Sequence, residues 1–299
     1  MLAPMSEPRK SGIVSIVGRP NAGKSTLMNH LLGQKVSIVS DKPQTTRNRI
    51  VGILTEPRGQ IVFLDTPGIH RPLHRMNVRM MDHVVSSFSD SDILVVIVDA
   101  STRFGRGDEF VLDMVSRSRQ PETRYLLLNK IDMVRKDRLL PEIERYSEAG
   151  HFSEIIPISA KSGDGADALL DVLFRDLPEG EPRYSEEMVT IHPERFLVGE
   201  LVREQVLANT RDELPYSTAI RIDKWEEDEE IIRIYASIVV ERQGQKKIVV
   251  GKGGQMIKQI GTAARHEIEK LLDTRVHLDL HVKVEEDWRE NENLLNELV

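Results

Sequence analysis

Residues 18–25 of the chain read GRPNAGKS, and this short stretch constrains the fold more than any other. It matches G-x-x-x-x-G-K-[ST], the pattern of a loop whose backbone N–H groups surround phosphate oxygens. The apolar run Ile13–Val17 before it predicts a buried strand, and Ser25–Leu32 after it predicts a helix. The two glycines of the stretch permit the tight turn, and the helix N-terminus adds partial positive charge. We therefore predict a phosphate site in which Lys24 reaches the β- and γ-phosphates and the Ser25 hydroxyl binds Mg²⁺.

Composition limits the class of protein. The chain has 299 residues, 39% of them hydrophobic, which is enough for two domains with sizeable cores. It has no cysteine, which excludes a disulfide framework, a thiolate metal site and a cysteine nucleophile. No apolar run is long enough to predict a transmembrane helix, and the first residues lack the apolar core of a signal peptide. We expect a cytoplasmic protein.

Strands and helices alternate along the first half of the sequence. This alternation predicts an α/β domain with a mainly parallel sheet that is covered by helices on both faces. The Pro/Gly-containing stretch 177–182 marks the boundary with a second, smaller α+β domain. We predict a disordered arm at 1–11, a nucleotide-binding domain at 12–176, a linker at 177–192 and the second domain at 193–299.

Two further motifs concern the phosphates. Asp65-Thr66-Pro67-Gly68 follows a predicted strand, so that the Asp65 carboxylate can hold Mg²⁺ and the Gly68 amide can meet a γ-phosphate. The polar stretch before the second strand contains Thr45 and Thr46. A threonine here can contact Mg²⁺ only when the γ-phosphate is present. Spacing alone does not decide which of the two threonines is the ligand.

Two motifs after later strands concern the base. In Asn129-Lys130-Ile131-Asp132, the Asp132 carboxylate can accept hydrogen bonds from guanine N1–H and the exocyclic amine, which adenine lacks. Ser159-Ala160-Lys161 would place the Ala160 amide near guanine O6. Each motif is weak alone. The four motifs in this order, each at a strand end, favour a guanine-nucleotide site over a P-loop ATPase or kinase.

The second domain carries a different glycine-rich loop, Gly251-Lys252-Gly253-Gly254. The order of elements around it is helix, strand, strand, loop, helix, strand, and the final helix is predicted over 287–298 with Asp287 as its N-cap. Propensity alone predicts a strand over Lys247–Val250. The chain carries a net charge of −7, but residues 242–283 hold nine basic and four acidic residues. A basic face could therefore serve RNA, although charge alone favours an ordinary solvated surface.

These motifs together resemble the Era family of bacterial ribosome-assembly GTPases, and the second domain resembles a bacterial-type KH domain. The resemblance covers roughly residues 12–284 and is carried by the motifs above and by three stretches of the second half, Arg195-Phe196, Arg203-Glu204 and Glu213-Leu214-Pro215-Tyr216-Ser217. It implies a P-loop GTPase domain followed by a KH domain. It also implies Thr46 as the Mg²⁺ ligand and a short helix over Lys247–Val250.

The resemblance assigns roles to individual positions. The residues that it places at the GTP site are Gly18, Arg19, Pro20, Asn21, Ala22, Gly23, Lys24, Ser25, Thr26, Asp65, Thr66, Pro67, Gly68, Ile69, Asn129, Lys130, Asp132, Ser159, Ala160 and Lys161. Mg²⁺ is assigned to Ser25, Thr46 and Asp65, and catalysis to Lys24, Thr46, Gly68 and Asn21. RNA binding is assigned to Val250, Gly251, Lys252, Gly253, Gly254, Ile257 and Lys258.

Ile69 occupies the position where Ras-like enzymes carry a water-orienting Gln. In related GTPases an Asn of the phosphate loop helps to bind K⁺, for which Asn21 is the candidate here. The alternative is that Asn21 only shapes the loop.

The implied function is a GTP-hydrolysing switch that binds single-stranded RNA at the 3′ end of 16S rRNA during assembly of the 30S ribosomal subunit. Nothing in the sequence points to an obligate dimer, and we expect a monomer. The resemblance also implies peripheral association with the inner face of the cell membrane. The alternative is a membrane- or division-associated regulatory GTPase whose second domain binds a protein.

Overall fold

The computed structural model describes residues 9–72, 74–211 and 213–298. They form two compact units. The first comprises residues 9–37, 46–72 and 79–191, and the second comprises residues 38–45, 74–78, 192–211 and 213–298. Two short stretches from the first half of the sequence, 38–45 and 74–78, therefore belong to the second unit.

The described residues of the first unit form six strands and five α-helices, although the first turn of α2 falls within the second unit. In chain order the elements are β1 Lys10–Gly18, α1 Lys24–Leu32, β2 Ile50–Glu56, β3 Gly59–Asp65, α2 Arg75–Asp90, β4 Ile93–Asp99, α3 Arg106–Arg117, β5 Thr123–Asn129, α4 Leu139–Ala149, β6 Glu154–Pro157 and α5 Ala166–Asp176.

The strands of the first unit form one sheet in the order β2-β3-β1-β4-β5-β6, in which only the β2–β3 pair is antiparallel. Side chains alternate between its two faces. Leu126 joins a core cluster with Phe88 of α2 and Val111 of α3. Tyr125, the residue before it in β5, instead donates from its hydroxyl to the Asp176 carboxylate at the end of α5. Helices thus cover both faces, and the predicted α/β architecture is confirmed.

The register of the parallel strands brings the predicted motifs to one edge of the sheet. Ile16 of β1 is paired with Asp65 of β3, and Gly18 is paired with Ile97 of β4. Asp99, the last residue of β4, is paired with Asn129, the last residue of β5. Ligands of open α/β sheets bind at such an edge.

The second unit contains a three-stranded sheet and helices packed on a shared core. Its elements are α6 Glu194–Asn209, β7 Ala219–Glu227, β8 Ile232–Val240, α7 Gln243–Val250, α8 Gln255–Leu272, β9 Val276–Val284 and α9 Glu292–Leu298. The strand order is β7-β8-β9, with β7 antiparallel and β9 parallel to β8. Val202 of α6, Ile234 of β8 and Ile260 of α8 are fully buried in one cluster. The element order confirms the predicted KH-type arrangement.

Two local predictions in the second unit have different outcomes. Propensity predicted a strand over Lys247–Val250, but these residues end α7, as the family resemblance implied. The predicted helix over 287–298 is interrupted, because a short 3₁₀ turn at Trp288–Glu290 precedes α9. Asp287 has φ 51° and its side chain caps nothing, so its predicted N-cap role is wrong. Asn291 provides the cap instead, since its Oδ1 accepts the Asn293 N–H at 3.0 Å.

The chain ends of the first unit also differ from expectation. Residues 1–8 of the predicted arm 1–11 lie outside the described residues, but Lys10 and Ser11 already belong to β1. Most of the predicted linker 177–192 packs within the first unit. Gln60 of β3 explains part of this packing, because its Oε1 accepts the Arg183 N–H at 2.8 Å.

A candidate nucleotide site and a candidate RNA-binding loop

The phosphate loop, residues 18–25, joins β1 to α1 and needs glycine at two positions. A Cβ on Gly18 would lie 2.2 Å from the Ile97 carbonyl oxygen of the neighbouring strand. A Cβ on Gly23 would lie 2.2 Å from Asn129 Nδ2, and its φ of 105° is rarely adopted by L side chains. Backbone closeness and conformation therefore both select glycine here.

The Lys24 side chain is buried beneath this loop, at 6% exposure. Its ammonium donates to the Arg19 carbonyl at 3.1 Å and approaches the Gly18 carbonyl at 3.5 Å. Burial lowers the pKa of Lys24 to about 8, and the nearby Asp65 carboxylate opposes this shift. A phosphate oxygen that replaced these two carbonyl oxygens would be a stronger partner for the buried ammonium, because it carries a charge.

Three hydroxyl groups converge on the buried Asp65 carboxylate at the end of β3. Ser25 Oγ donates to Asp65 Oδ2 at 2.6 Å, Ser37 Oγ at 2.8 Å and Thr46 Oγ1 at 3.4 Å. The hydroxyls of Ser25 and Thr46 lie 3.0 Å apart. Burial raises the pKa of Asp65, and Lys24 and these hydroxyls oppose the rise. A cation near this carboxylate would relieve its burial cost.

Asp65 also carries an unused ligand atom. Its Oδ1 is buried and has no hydrogen-bond partner among the described residues. A carboxylate oxygen beside two hydroxyls is a donor set that suits Mg²⁺, which prefers oxygen ligands. The predicted metal residues Ser25, Thr46 and Asp65 are therefore brought together and fit the ion.

The two adjacent threonines make different contacts in the structure. Thr46 is buried and faces Asp65, as described above. The Thr45 hydroxyl instead donates to the Lys42 carbonyl at 2.6 Å, which closes a local turn. The geometry thus favours Thr46, the choice that the resemblance implied and that spacing left open.

Gly68 lies directly against the phosphate loop. A Cβ on Gly68 would lie 2.7 Å from the Pro20 nitrogen, so only glycine fits. The next N–H, that of Ile69, donates to the Gly18 carbonyl at 2.9 Å. The Ile69 side chain is 2% exposed and belongs to the sheet core. Ile69 therefore supplies no polar group that could orient a water molecule.

The predicted base-recognition motifs are joined by Asn129. Its Nδ2 donates to the Ala22 carbonyl of the phosphate loop at 2.7 Å. Its Oδ1 accepts the Ala160 N–H at 2.9 Å, so in this structure that amide is bonded to protein. Ser159 Oγ donates to Asp132 Oδ1 at 2.7 Å and so orients the carboxylate. One buried amide side chain thereby ties three separate motifs together.

Three residues of this site were missed by sequence reasoning. Asp99 accepts from Lys130 Nζ at 2.6 Å, and Asp108 accepts from Arg19 Nη1 at 2.9 Å. Ser37 is the third, through its bond to Asp65. Asp99 could have been found, since it ends a predicted strand. Asp108 and Ser37 carry no such signal.

The remaining predicted positions vary in exposure. Asn21 and Lys161 are exposed, and Asn21 has a positive φ of 62°. Thr26 lies in the first turn of α1, and Thr66 and Pro67 are buried. The Thr66 hydroxyl donates to the Ile16 carbonyl at 2.8 Å and so joins its motif to β1.

The second glycine-rich loop, residues 251–254, connects α7 to α8. All three of its glycines have positive φ, of 72°, 60° and 77°. A Cβ on Gly251 would lie 2.7 Å from Met256 Cβ. For Gly253 and Gly254, no atom of the described residues lies within 4 Å of such a Cβ. The backbone of the last two glycines is therefore open to an approaching molecule.

Charge and apolar surface flank this loop. Lys252 and Lys258 are exposed. Val250 and Ile257 are partly buried and pack against the core of the second unit. Because α8 begins at Gln255 and Gly254 has no side chain, the first N–H groups of the helix receive no side-chain cap. The arrangement can attract and contact a phosphodiester backbone.

Among the residues that the structure describes, no helix has the length and apolarity to span a membrane.

Two family models match the chain. One, described as "50S ribosome-binding GTPase", matches residues 13–130, and the other, a KH domain, matches residues 213–289. The chain is 46% identical over 290 residues to the GTPase Era of Staphylococcus haemolyticus (strain JCSC1435), which covers 97% of this chain and 96% of that protein.

Two solved structures are also similar. One is an Aquifex aeolicus Era variant bound to GDP and AlF4⁻, and the other is Era with MgGDPNP and nucleotides 1506–1542 of 16S ribosomal RNA. Each has a TM-score of 0.92 and 38% sequence identity, and each covers 97% of this chain and 98% of that chain. The order of the two units, a nucleotide-binding unit followed by a KH-type unit, agrees with the two family models. The chain belongs to the Era family and is a GTPase.

Proposed function

We propose that this GTPase is a molecular switch that binds single-stranded RNA, the 3′ end of 16S rRNA, and acts in 30S subunit assembly. The open loop 251–254 carries this proposal, because its last two glycines leave the backbone accessible at the start of α8. Loops of this type in KH domains clamp the backbone of about four nucleotides. The similar Era structure that contains 16S nucleotides supports the choice of RNA.

At the nucleotide, residues 18–25 surround the phosphates with backbone N–H groups, and Lys24 places its buried ammonium against the β- and γ-phosphates. Ser25, Thr46 and Asp65 would hold Mg²⁺, for which Asp65 Oδ1 is available. The bound ion would supply positive charge beside the phosphate oxygens. Because Thr46 would contact the ion only with a γ-phosphate present, this residue would distinguish GTP from GDP.

For hydrolysis, the Gly68 N–H donates to the γ-phosphate, and Lys24 stabilises the charge that develops on its oxygens. Ile69 is buried and apolar, so the attacking water is oriented by groups other than its side chain. Asn21 is our candidate for a K⁺ ligand. Hydrolysis should then run faster in K⁺ than in Na⁺, and equal rates in the two salts would remove this role.

Guanine is selected by Asp132, which Ser159 orients through its hydroxyl. The carboxylate accepts the N1–H and the exocyclic amine of guanine, whereas adenine would leave it unpaired. Asn129 holds the phosphate loop and the Ala160 loop in register with that carboxylate. Competition by GTP and not by ATP checks this assignment.

The switch itself consists of residues 36–49 and 68–79. GTP orders these segments and shifts the RNA-binding unit toward a binding-competent state, and hydrolysis releases it. No chemistry is performed on the RNA. We place the protein in the cytoplasm, with peripheral membrane association as a further part of the proposal that cell fractionation can check.

Fluorescence anisotropy with a short RNA that matches the 16S 3′ end tests the function directly. The RNA should bind more tightly with a non-hydrolysable GTP analogue than with GDP, at one stated salt concentration. Absence of binding in both states would remove the ribosomal role and favour a second unit that binds protein.

A matched pair of variants tests the loop. Gly253→Asp and Gly253→Asn add side chains of equal size at a φ of 60°, a conformation that both residues tolerate. Only Asp adds an anion beside the RNA phosphates. We expect Asp to weaken RNA binding at least about tenfold more than Asn does. Equal effects would show that the loop does not approach phosphate.

A further inference from the structure

Residues 38–45 come from the GTPase half of the sequence but belong to the second unit. Ile38 is 3% exposed and lies in the hydrophobic core cluster of that unit. The Val39 N–H donates to Glu204 Oε1 at 3.0 Å. At the other end of the segment, the Thr45 carbonyl accepts from Arg203 Nη2. The segment is therefore held at both ends by α6.

Arg203 is well suited to hold a fixed position. Its side chain is 3% exposed, and Glu200 accepts from its Nε at 2.7 Å and from its Nη2 at 2.6 Å. This two-point pairing fixes the plane of the guanidinium within the helix. A planar, buried and paired guanidinium that also donates to a backbone carbonyl can set the position of that carbonyl.

The carbonyl that Arg203 holds belongs to the peptide bond that joins Thr45 to Thr46. Peptide planarity fixes the Thr46 nitrogen relative to this carbonyl. The Thr46 hydroxyl is the group that lies 3.0 Å from Ser25 Oγ and 3.4 Å from Asp65 Oδ2. The contact that α6 makes with the Thr45 carbonyl thus lies at the peptide bond directly before Thr46, the residue whose binding to Mg²⁺ is proposed to depend on the γ-phosphate.

We propose that Arg203 is a positioning residue for the GTP-bound state. It holds the Thr45 carbonyl so that the Thr46 hydroxyl is placed for Mg²⁺, and Glu204 supports it from the other end of the segment. The inference rests on the role proposed above for Thr46. Through linkage, whatever stabilises this placement in the second unit also raises the affinity for GTP relative to GDP.

Residues 74–78 are also part of the second unit, but their contacts are weaker. Glu290 accepts from His74 Nδ1 at 3.0 Å, and Glu292 pairs with Arg75 at 3.1 Å. All four side chains are more than 40% exposed. Exposed pairs of this kind contribute little. The buried contacts that Arg203 and Glu204 make with residues 38–45 are therefore better suited to carry coupling.

The test measures binding of a fluorescent non-hydrolysable GTP analogue and of fluorescent GDP to the full chain in Mg²⁺. In Arg203→Gln, the ratio of GTP-analogue to GDP affinity should fall about tenfold, with GDP affinity within about twofold of the parent. Arg203→Lys should recover part of the ratio, because one donor remains. Arg195→Gln is the control, since Arg195 lies on the same helix over the Trp225 ring.

An unchanged ratio in Arg203→Gln overturns the proposal, and so does an equal loss for both nucleotides, which would indicate a merely structural role. If Arg203→Gln does not fold, Glu204→Leu replaces it, because it leaves the Val39 N–H without this acceptor and should lower the same ratio. Thr46→Val tests the proposed role of Thr46 itself, on which the role of Arg203 depends. If it leaves the ratio unchanged, the role of Thr46 fails and the positioning inference fails with it. No RNA is used, so failure to bind RNA remains a separate outcome.

Discussion

Two glycine-rich loops in this protein each lead into a helix, but their glycines are required for different reasons. In loop 18–25 the surrounding atoms impose the requirement, as the Ile97 carbonyl does at Gly18, and at Gly23 the φ of 105° adds to it. In loop 251–254 the last two glycines have free space around them, and their positive φ values impose it. An enclosed loop fits one small ligand. An open loop leaves room for a polymer.

The lysines of the two loops differ in the same way. Lys24 is 6% exposed, and burial lowers its pKa to about 8. Lys252 is exposed. A buried cation concentrates binding energy in a few contacts because the local dielectric constant is low, whereas an exposed cation adds a small, salt-screened increment. Substitutions at matched positions should therefore have unequal effects.

The largest expected difference concerns alanine substitution of a glycine. Gly18→Ala should lower the free energy of unfolding by about 3 kcal/mol, because the new Cβ would lie 2.2 Å from a strand carbonyl that cannot move freely. Gly253→Ala should cost only about 1 kcal/mol, the strain of one left-handed residue. Urea unfolding measures both. Equal losses would mean that the enclosure of the phosphate loop is not what selects its glycine.

Lys24→Met should weaken GTP binding without lowering the stability of the protein. Removing the ammonium should weaken GTP binding about 100-fold, or about 2.7 kcal/mol, because a buried charge-assisted contact to phosphate is lost. The free energy of unfolding should not fall, since the variant no longer pays for burying a charge and keeps a side chain of similar length. Isothermal titration calorimetry measures the GTP affinity, and urea unfolding measures the free energy of unfolding. A stability loss that matches the binding loss would contradict the interpretation.

The adjacent threonines provide the next contrast. Thr46→Val should weaken binding of a non-hydrolysable GTP analogue about tenfold in Mg²⁺ and leave GDP binding nearly unchanged, because one ligand hydroxyl is lost. Thr45→Val removes only a turn contact to Lys42 and should leave the ratio of the two affinities unchanged. Omitting Mg²⁺ should abolish the difference between the variants. A difference that persists without the ion would place the Thr46 hydroxyl against the nucleotide rather than the metal.

The sequence predicted the elements of both units well where the local pattern agreed with the fold. Val14 and Ile16 of β1 are fully buried, as the mostly apolar run Ile13–Val17 indicated. The strand-end positions of the nucleotide motifs also followed from parallel-sheet logic. Lys247–Val250 shows the limit, because the same β-branched residues that favour a strand form the end of α7. There the tertiary contacts of Val249, which is fully buried, override propensity.

Several contacts between residues distant in sequence could not be predicted. The bond of Ser37 to Asp65 and the bond of Asp108 to Arg19 depend on loops whose paths no periodicity encodes. The same holds for Arg203, which the sequence places on an amphipathic helix without indicating that it holds Thr45. Asp287 has the residue type of an N-cap but takes φ 51°, so the chain begins the helix at a later cap. The residue type indicates a role, but the backbone conformation determines whether the side chain can perform it.

The smallest expected effect is that of Lys252→Ala in the open loop. One lost phosphate contact should weaken RNA binding about threefold at moderate salt and lower the slope of log affinity against log salt concentration by about 0.7, the value for one contact to a single strand. Lys136→Ala, at an exposed lysine of the first unit, is the matched control and should change neither quantity. Anisotropy titrations at several salt concentrations measure both. If Lys252→Ala lowers affinity without changing the slope, the lysine acts on the loop conformation and not on RNA charge. If it lowers affinity about 100-fold, as expected for Lys24→Met with GTP, the loop closes around its ligand and the contrast between enclosed and open loops fails.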